Sequence, residues 1–290
     1  MQPSSEAGPR SRVPWALAIT VGVCSGLAGY VIHAALVRRA PKQVVTVQRL
    51  TSMAGPEEEP ALSPDGKMVA FVAESGGRRQ IWVRSIGSGA PQLVTKDDAD
   101  HSGPRWAPDA ARLICFASGA IWEIPAAGGE ARKLADAQGP GDLSHDGKRL
   151  AFFRSQDGGV ELMAGPADVL TLGGGAYSNV RWSPDDNKIA YLDGGSVMVV
   201  GVSGGAPVRA TPGIQVQGFA WTPDNSGLVV STRGELWFFP RSDRDSPRQL
   251  TFGEMAYESP DVDAAGNVVV SRRGLAGQDA DIVMLSGLRW

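Results

Sequence analysis

Gly201-Val202-Ser203-Gly204-Gly205 has the Gly-x-Ser-x-Gly spacing of a hydrolase nucleophile. A working nucleophile elbow needs a strand-to-helix turn under the serine, with an acid and a histidine further along the chain. Ser203 lies instead between two apolar, strand-like runs, Val197–Val200 and Val208–Thr211, and no histidine follows it. The pentad therefore reads as a glycine-rich turn. The three histidines, His33, His101 and His145, share no metal-ligand spacing. Asp261-x-Asp263-x-x-Gly266 has the opening of a calcium loop, but it lacks the fifth-position ligand and carries Arg272 where the closing glutamate belongs. Cys24 and Cys115 have no pairing logic, so neither a disulfide framework nor a cysteine metal site is expected. Neither catalysis, nor a metal, nor a cofactor is expected.

The elements that carry these residues repeat. Ser63-Pro64-Asp65-Gly66 returns as Ala107-Pro108-Asp109, Ser144-His145-Asp146-Gly147, Ser183-Pro184-Asp185, Thr222-Pro223-Asp224 and Asp263-Ala264-Ala265-Gly266. The proline slot falls at 64, 108, 145, 184, 223 and 264, so the steps are 44, 37, 39, 39 and 41 residues. A period of that length with strand-like content is the mark of a radial β array. Within one unit, Pro60–Leu62 is a short first strand. Proline, aspartate and glycine then turn the chain, each through its own backbone preference. Met68–Ala73 is nearly all apolar, so both of its faces must be covered. Ile81–Val83 and Gln92–Thr95 complete four strands per unit. The pattern predicts an all-β, six-bladed propeller over residues 45–290. The last unit has only three strands, and Val47–Thr51 stands ahead of the first as an orphan resembling Arg248–Thr251. Pairing that N-terminal strand into the last blade would close the ring and leave no long exposed edge.

Residues 13–37 form a different segment, with 25 positions free of Asp, Glu, Lys and Arg. At helical rise this crosses a hydrocarbon core of about 30 Å, with Trp15 near one end and Arg38-Arg39 closing the other. A cleaved signal peptide is the competing reading, but its apolar region is shorter and ends at a small-x-small site. The expected layout is a tail 1–12, a transmembrane helix 13–37, a linker 38–44 and the propeller. Basic residues on both sides of the span leave its orientation open. Gly22 and Gly26 would let two helices approach as a weak dimer, or are small-residue filler. Residues 1–39 carry a net +3 and the remainder −6. A domain of that sign is a poor partner for a phosphate backbone, so nucleic acid is not expected.

Loops from an outer strand to the next inner strand surround one mouth of the channel. Glu57, Glu58, Glu59, Asp97, Asp98, Asp100, Glu254 and Glu258 gather there with His101 and Tyr257, countered in sequence only by Lys96 and His101. Such an acidic rim would attract a basic peptide or a divalent cation, or is simply solvated loop charge. Trp106, Trp182 and Trp221 recur just before the turn, which favours inter-blade packing over an aromatic ligand box.

An outer strand ending Leu-Thr, then a proline, then Trp-Ser-Pro-Asp-Gly and an apolar strand resembles the TolB-type propeller repeat. Arg181-Trp182-Ser183-Pro184-Asp185, Arg105-Trp106-Ala107-Pro108-Asp109 and Arg248-Gln249-Leu250-Thr251 carry the match across residues 45–290. Units three and six depart from it, having neither the proline nor the tryptophan. The resemblance implies a protein- or peptide-binding module of the bacterial envelope, anchored once in the inner membrane with its propeller in the periplasm. A helix followed by such a propeller also resembles the rear half of membrane-spanning winged-helix regulators and Ser/Thr kinases. With 12 residues ahead of the helix, a truncated sensory relative is the second expectation. An accessory propeller of a peptidase lacking its hydrolase domain is the third.

Overall fold

The computed structural model describes residues 45–290 apart from 157–158, 166–168, 173–175, 243, 254 and 275–279. The tail, the predicted span 13–37 with Gly22 and Gly26, and the linker all lie outside the described residues, as does Glu254. Among the described residues no helix is long and apolar enough to cross a membrane.

Val44–Trp290 is one compact unit. It contains six sheets of four antiparallel strands. Five sheets are built from strands consecutive in the chain, running from the channel outward. The sixth takes Met255–Val262, Val268–Gly274 and Asp281–Ser286 from the C-terminus and Thr46–Arg49 from the N-terminus. Thr46 pairs with Ser286 and Arg49 with Val283, so the ring is closed by the N-terminal strand as the orphan strand requires. The fold is an all-β, six-bladed propeller.

The Leu-Thr endings explain both the closure and the shortness of the outer strands. Val94 donates its N–H to the carbonyl of Ile81, and Ile81 then donates its own N–H to Thr95 Oγ1 at 2.9 Å rather than to a backbone oxygen. Thr211 accepts in the same way from Val197, Thr251 from Leu236 and Thr51 from Ile282. The threonine hydroxyl replaces the ladder's next carbonyl, so the regular strand ends at Gln92–Leu93 where a run to Thr95 is expected. Thr51 makes this bond 231 residues away from its partner, which locks the closure with the same chemistry that finishes the other blades.

Second strands are buried on both faces, as their composition demands. Val69, Ala70, Phe71, Val72 and Ala73 are each at most 2% exposed. Ala70 and Val72 pack with Leu113 and Cys115 of the next blade, while Val69 and Phe71 pack with Val269 and Ile282 of the last. Each buried valine, leucine, isoleucine or phenylalanine here contributes about 1.5–3 kcal/mol, so neighbouring blades are held by apolar contact on both flanks.

Candidate functional site

The acidic residues expected at the loop face are placed differently from one another. Glu57 is wholly buried and points inward, a correction to its expected place on the rim. The first strand begins at Glu57 rather than Pro60, which carries the side chain into the closure. Thr51 Oγ1 donates to Glu57 Oε2 at 2.5 Å, and Met53 N–H donates to Oε1 at 3.0 Å. Burial pushes the Glu57 carboxyl up, partly offset by these bonds. Glu58 and Glu59 pair with Arg79 at 3.2 and 2.8 Å, and Glu58 also faces Arg273 at 3.7 Å. Asp100 accepts the Arg79 N–H and lies 3.7 Å from Arg78. The rim is therefore countered by Arg78, Arg79 and Arg273, not only by Lys96 and His101. Asp98 is exposed, Glu258 and Tyr257 are half-buried, and Asp97 accepts from Ala99 N–H and His101.

His101 belongs to a string that looks chemical and is closed. Its Nε2 lies 2.8 Å from Asp97 Oδ1 and its Nδ1 lies 3.5 Å from Cys115 Sγ. With Asp97 accepting from Nε2–H, the Nδ1 lone pair is left to take the thiol proton. Yet Cys115 is 1% exposed, and burial, reinforced by the Asp97 charge, pushes its thiol up to about 12. A thiol without substrate access or thiolate character is inert. Ser203 sits exposed in the turn after Ser196–Gly201, as its context requires, and has no imidazole partner among the described residues.

The opposite face carries the hairpin turns. There Ser63 Oγ donates to Asp65 Oδ1 at 2.6 Å and accepts the Met68 N–H. Ser144–Asp146 and Ser183–Asp185 repeat this. The serine hydroxyl holds the Asp65, Asp146 and Asp185 carboxyls below their ordinary value, so these aspartates are occupied in closing turns. Asp263 is likewise spent on Ala265, on the Asn267 N–H and on the Asn267 amide, which accounts for the calcium-like spacing. Among the described residues no group of three or more His, Cys, Asp or Glu side chains could hold a metal.

Between these turns a cavity of about 460 Å³ opens into the channel. Its inner lining is one repeat position, three residues before the proline slot: Ala61, Arg105, Asp142, Arg181, Ala220 and Asp261. Four of the six inner strands carry a β-bulge immediately before it, between Glu58 and Ala61, Ser102 and Arg105, Ser178 and Arg181, and Glu258 and Asp261. Each bulge holds one residue at positive φ: Glu59, Gly103, Asn179 and Ser259, at 50° to 57°. A bulge bends its strand and re-aims the following side chain, and bulges gather beside active sites. Left-handed backbone at three residues other than glycine costs about 1–2 kcal/mol each, set against the channel position it secures.

The ring is cross-linked from blade to blade. Asp142 Oδ2 accepts the Trp182 N–H at 2.9 Å, and Asp261 Oδ2 accepts the Leu62 N–H at 2.8 Å. The recurrent tryptophans do pack between blades, and each donates its indole N–H to the ring carbonyl of the preceding blade: Trp106 to Ala61, Trp182 to Asp142 and Trp221 to Arg181. Asp142 and Asp261 keep some accessible surface because they open onto the cavity, yet their carboxyls lie deep among protein atoms. Desolvation pushes Asp142 up to about 6, opposed by Arg105 and by the Trp182 N–H, and it raises Asp261 in the same way. Arg105 thus lies in the field of both aspartates. Arg181 is 8% exposed and its Nε, like that of Arg105, has no hydrogen-bond partner, and neither arginine enters an ion pair among the described residues. Holding a guanidinium out of water without a close ion-pair partner costs several kcal/mol.

Fold and site together define a TolB-like six-bladed propeller with a charged, bulge-built channel mouth. No protein-family model matches the chain. An uncharacterized protein of Agrobacterium fabrum strain C58 is 27% identical over 154 residues, 45% of this chain and 52% of that protein. The chain thus spans about half the length of that relative. Among solved structures, TolB from Acinetobacter baumannii superposes with a TM-score of 0.56 at 16% identity, over 78% of this chain and 65% of that one. A gluconolactonase of Xanthomonas campestris superposes with a TM-score of 0.63 at 17% identity, over 89% and 93%. At these identities the likeness shows the fold.

The ring was legible but unread. It has the same steps as the proline slot, and Arg105-Trp106 and Arg181-Trp182 stand out as motif residues. What marks the position as inward is the bulge, and nothing in an Asn179 or a Ser259 announces one.

Proposed function

We propose that this chain is a binding propeller of the bacterial envelope, anchored in the inner membrane by residues 13–37 with the propeller in the periplasm. It takes a protein or peptide partner at the channel mouth of the hairpin-turn face and performs no catalysis of its own. The observation that carries this reading is the cavity itself: charged ring residues are held there by strained bulges, and the Arg181 guanidinium is buried with its Nε unpartnered. Proteins keep such costs where a ligand meets them. The TolB-type resemblance and the A. baumannii TolB likeness agree with a binding module, and the envelope location rests on that resemblance.

Photo-crosslinking in intact cells tests it. A crosslinker at exposed Ala264, beside the cavity, should give a discrete protein adduct, and one at exposed Asp98 on the loop face should not. Adducts from Asp98 alone would move the site to the acidic loops, with Glu58, Glu59 and Asp100 as contacts for a basic partner. An inactive alkaline phosphatase fused after Trp290, with a cytoplasmic reporter active in parallel, would refute the periplasmic location. Turnover of a sugar lactone by the purified chain would replace the binding reading with an enzymatic one.

A further inference from the structure

Of the two arginines in the ring, Arg181 is the buried one, 8% exposed with its Nε unpartnered, whereas Arg105 is half-buried and donates from Nη1 to the Pro104 carbonyl at 2.6 Å. Asp142 flanks both arginines in the ring, and the Arg105 field reaches Asp142 and Asp261. In a six-fold ring blade four faces blade one, so Arg181 looks across the channel at Ala61 and has Ala220 on one flank. On the other flank Asp142 already accepts the Trp182 N–H. The Arg181 carbonyl is fixed by the Trp221 indole at 3.4 Å, and the bulge at Asn179 aims its side chain into the cavity. A planar guanidinium presents donors in a fork that matches a carboxylate with two parallel hydrogen bonds.

We propose that the channel mouth binds a carboxylate group through the Arg181 guanidinium, as the charged end of a peptide or of a small organic acid. A phosphate dianion would meet the Asp142 and Asp261 carboxylates with twice the charge of a carboxylate. This deepens the reading of the hairpin-face mouth as the binding site, and its test is separable from that reading.

The test uses the full chain in detergent micelles, labelled with ¹⁵N-arginine, with the Arg181 Nε–H resonance assigned by its loss in Arg181→Gln. Four probes are titrated: acetate, inorganic phosphate, a trialanine peptide as the free acid, and the same peptide as its C-terminal amide. The free acid should move the Arg181 resonance and bind about tenfold or more tightly than the amide, a difference of about 1.4 kcal/mol. Arg181→Gln should abolish that preference while Arg105→Gln keeps most of it. Arg181→Lys should retain part of it, since the charge remains and the fork is lost. A shift with acetate but with neither peptide supports the carboxylate site and overturns the peptide reading of the mouth. Equal binding of acid and amide, an unchanged preference in Arg181→Gln, tighter binding of inorganic phosphate, or no shift with any carboxylate would overturn the proposal. Urea midpoints for each variant establish that the fold is kept.

Discussion

Asp142 offers a direct measurement of what the channel does to charge. Its carboxyl moves from an ordinary 3.8 to about 6, with desolvation the largest cause. For an acid whose value is raised on folding, the native state holds the proton more tightly than the unfolded chain. Stability from this group is greatest below about pH 4. It then falls as pH rises through the interval up to about 6 and stays low above it. A shift of about two units corresponds to about 3 kcal/mol lost across that window. Asp142→Asn keeps an oxygen to accept the Trp182 N–H and removes the ionisation. The substitution should therefore gain on the native chain as pH rises, by about 3 kcal/mol between pH 4 and pH 8. Urea unfolding of both proteins at several pH values reads this directly. A difference between the two that does not change with pH would refute the buried-carboxylate account, and one growing toward acid would reverse it. Arg105 sets the scale, because Arg105→Gln should push the carboxyl higher still and move the window upward.

The closure is tested by Thr51→Val, which orphans the Ile282 N–H and removes the hydroxyl bond to the buried Glu57 carboxyl. It should cost about 2–5 kcal/mol, more than Thr211→Val, which orphans the Val197 N–H. Similar urea midpoints for the two variants would argue against a special lock. Gly103→Ala would drive a Cβ into the Pro140 side chain at a φ of +57°, so a loss of about 2–5 kcal/mol is expected from thermal or urea unfolding. Trp182→Phe removes the indole bond to Asp142 and weakens the stack with Arg149, whose guanidinium lies 4.5 Å from the ring, for a loss of about 1–3 kcal/mol. Cys115 should resist alkylation in the folded chain at pH 8 and react only on unfolding, read by peptide mass mapping. Labelling of the native protein at Cys115 would reopen the His101 string as chemistry.

The sequence-based reading located the architecture well because its signals are local and repeated. Ser63-Pro64-Asp65-Gly66 closes a turn by bonds that span five residues or fewer, and six copies of it fix six hairpins. The Val47–Thr51 strand predicted its own partner through likeness to Arg248–Thr251. The partners of the acidic loop residues do not follow from such local signals. Glu57, Glu58 and Glu59 look alike in a row, yet one is sealed into the closure and the others meet Arg79 and Arg273, an arginine of the same blade and one from the far end of the chain.

By itself, then, the sequence determined the number of blades, the turns between their strands and the closing strand, since each follows from short-range hydrogen bonding and the two-residue period of a strand. Only the tertiary structure decided which charges share a space. Arg105, Asp142, Arg181 and Asp261 are 37, 39 and 80 residues apart in turn along the chain and meet because six blades close around an axis and bulges turn three of the four inward. Their energies depend on that meeting: Coulomb interaction and desolvation are set by distance and burial, and neither is written in a residue's neighbours along the chain.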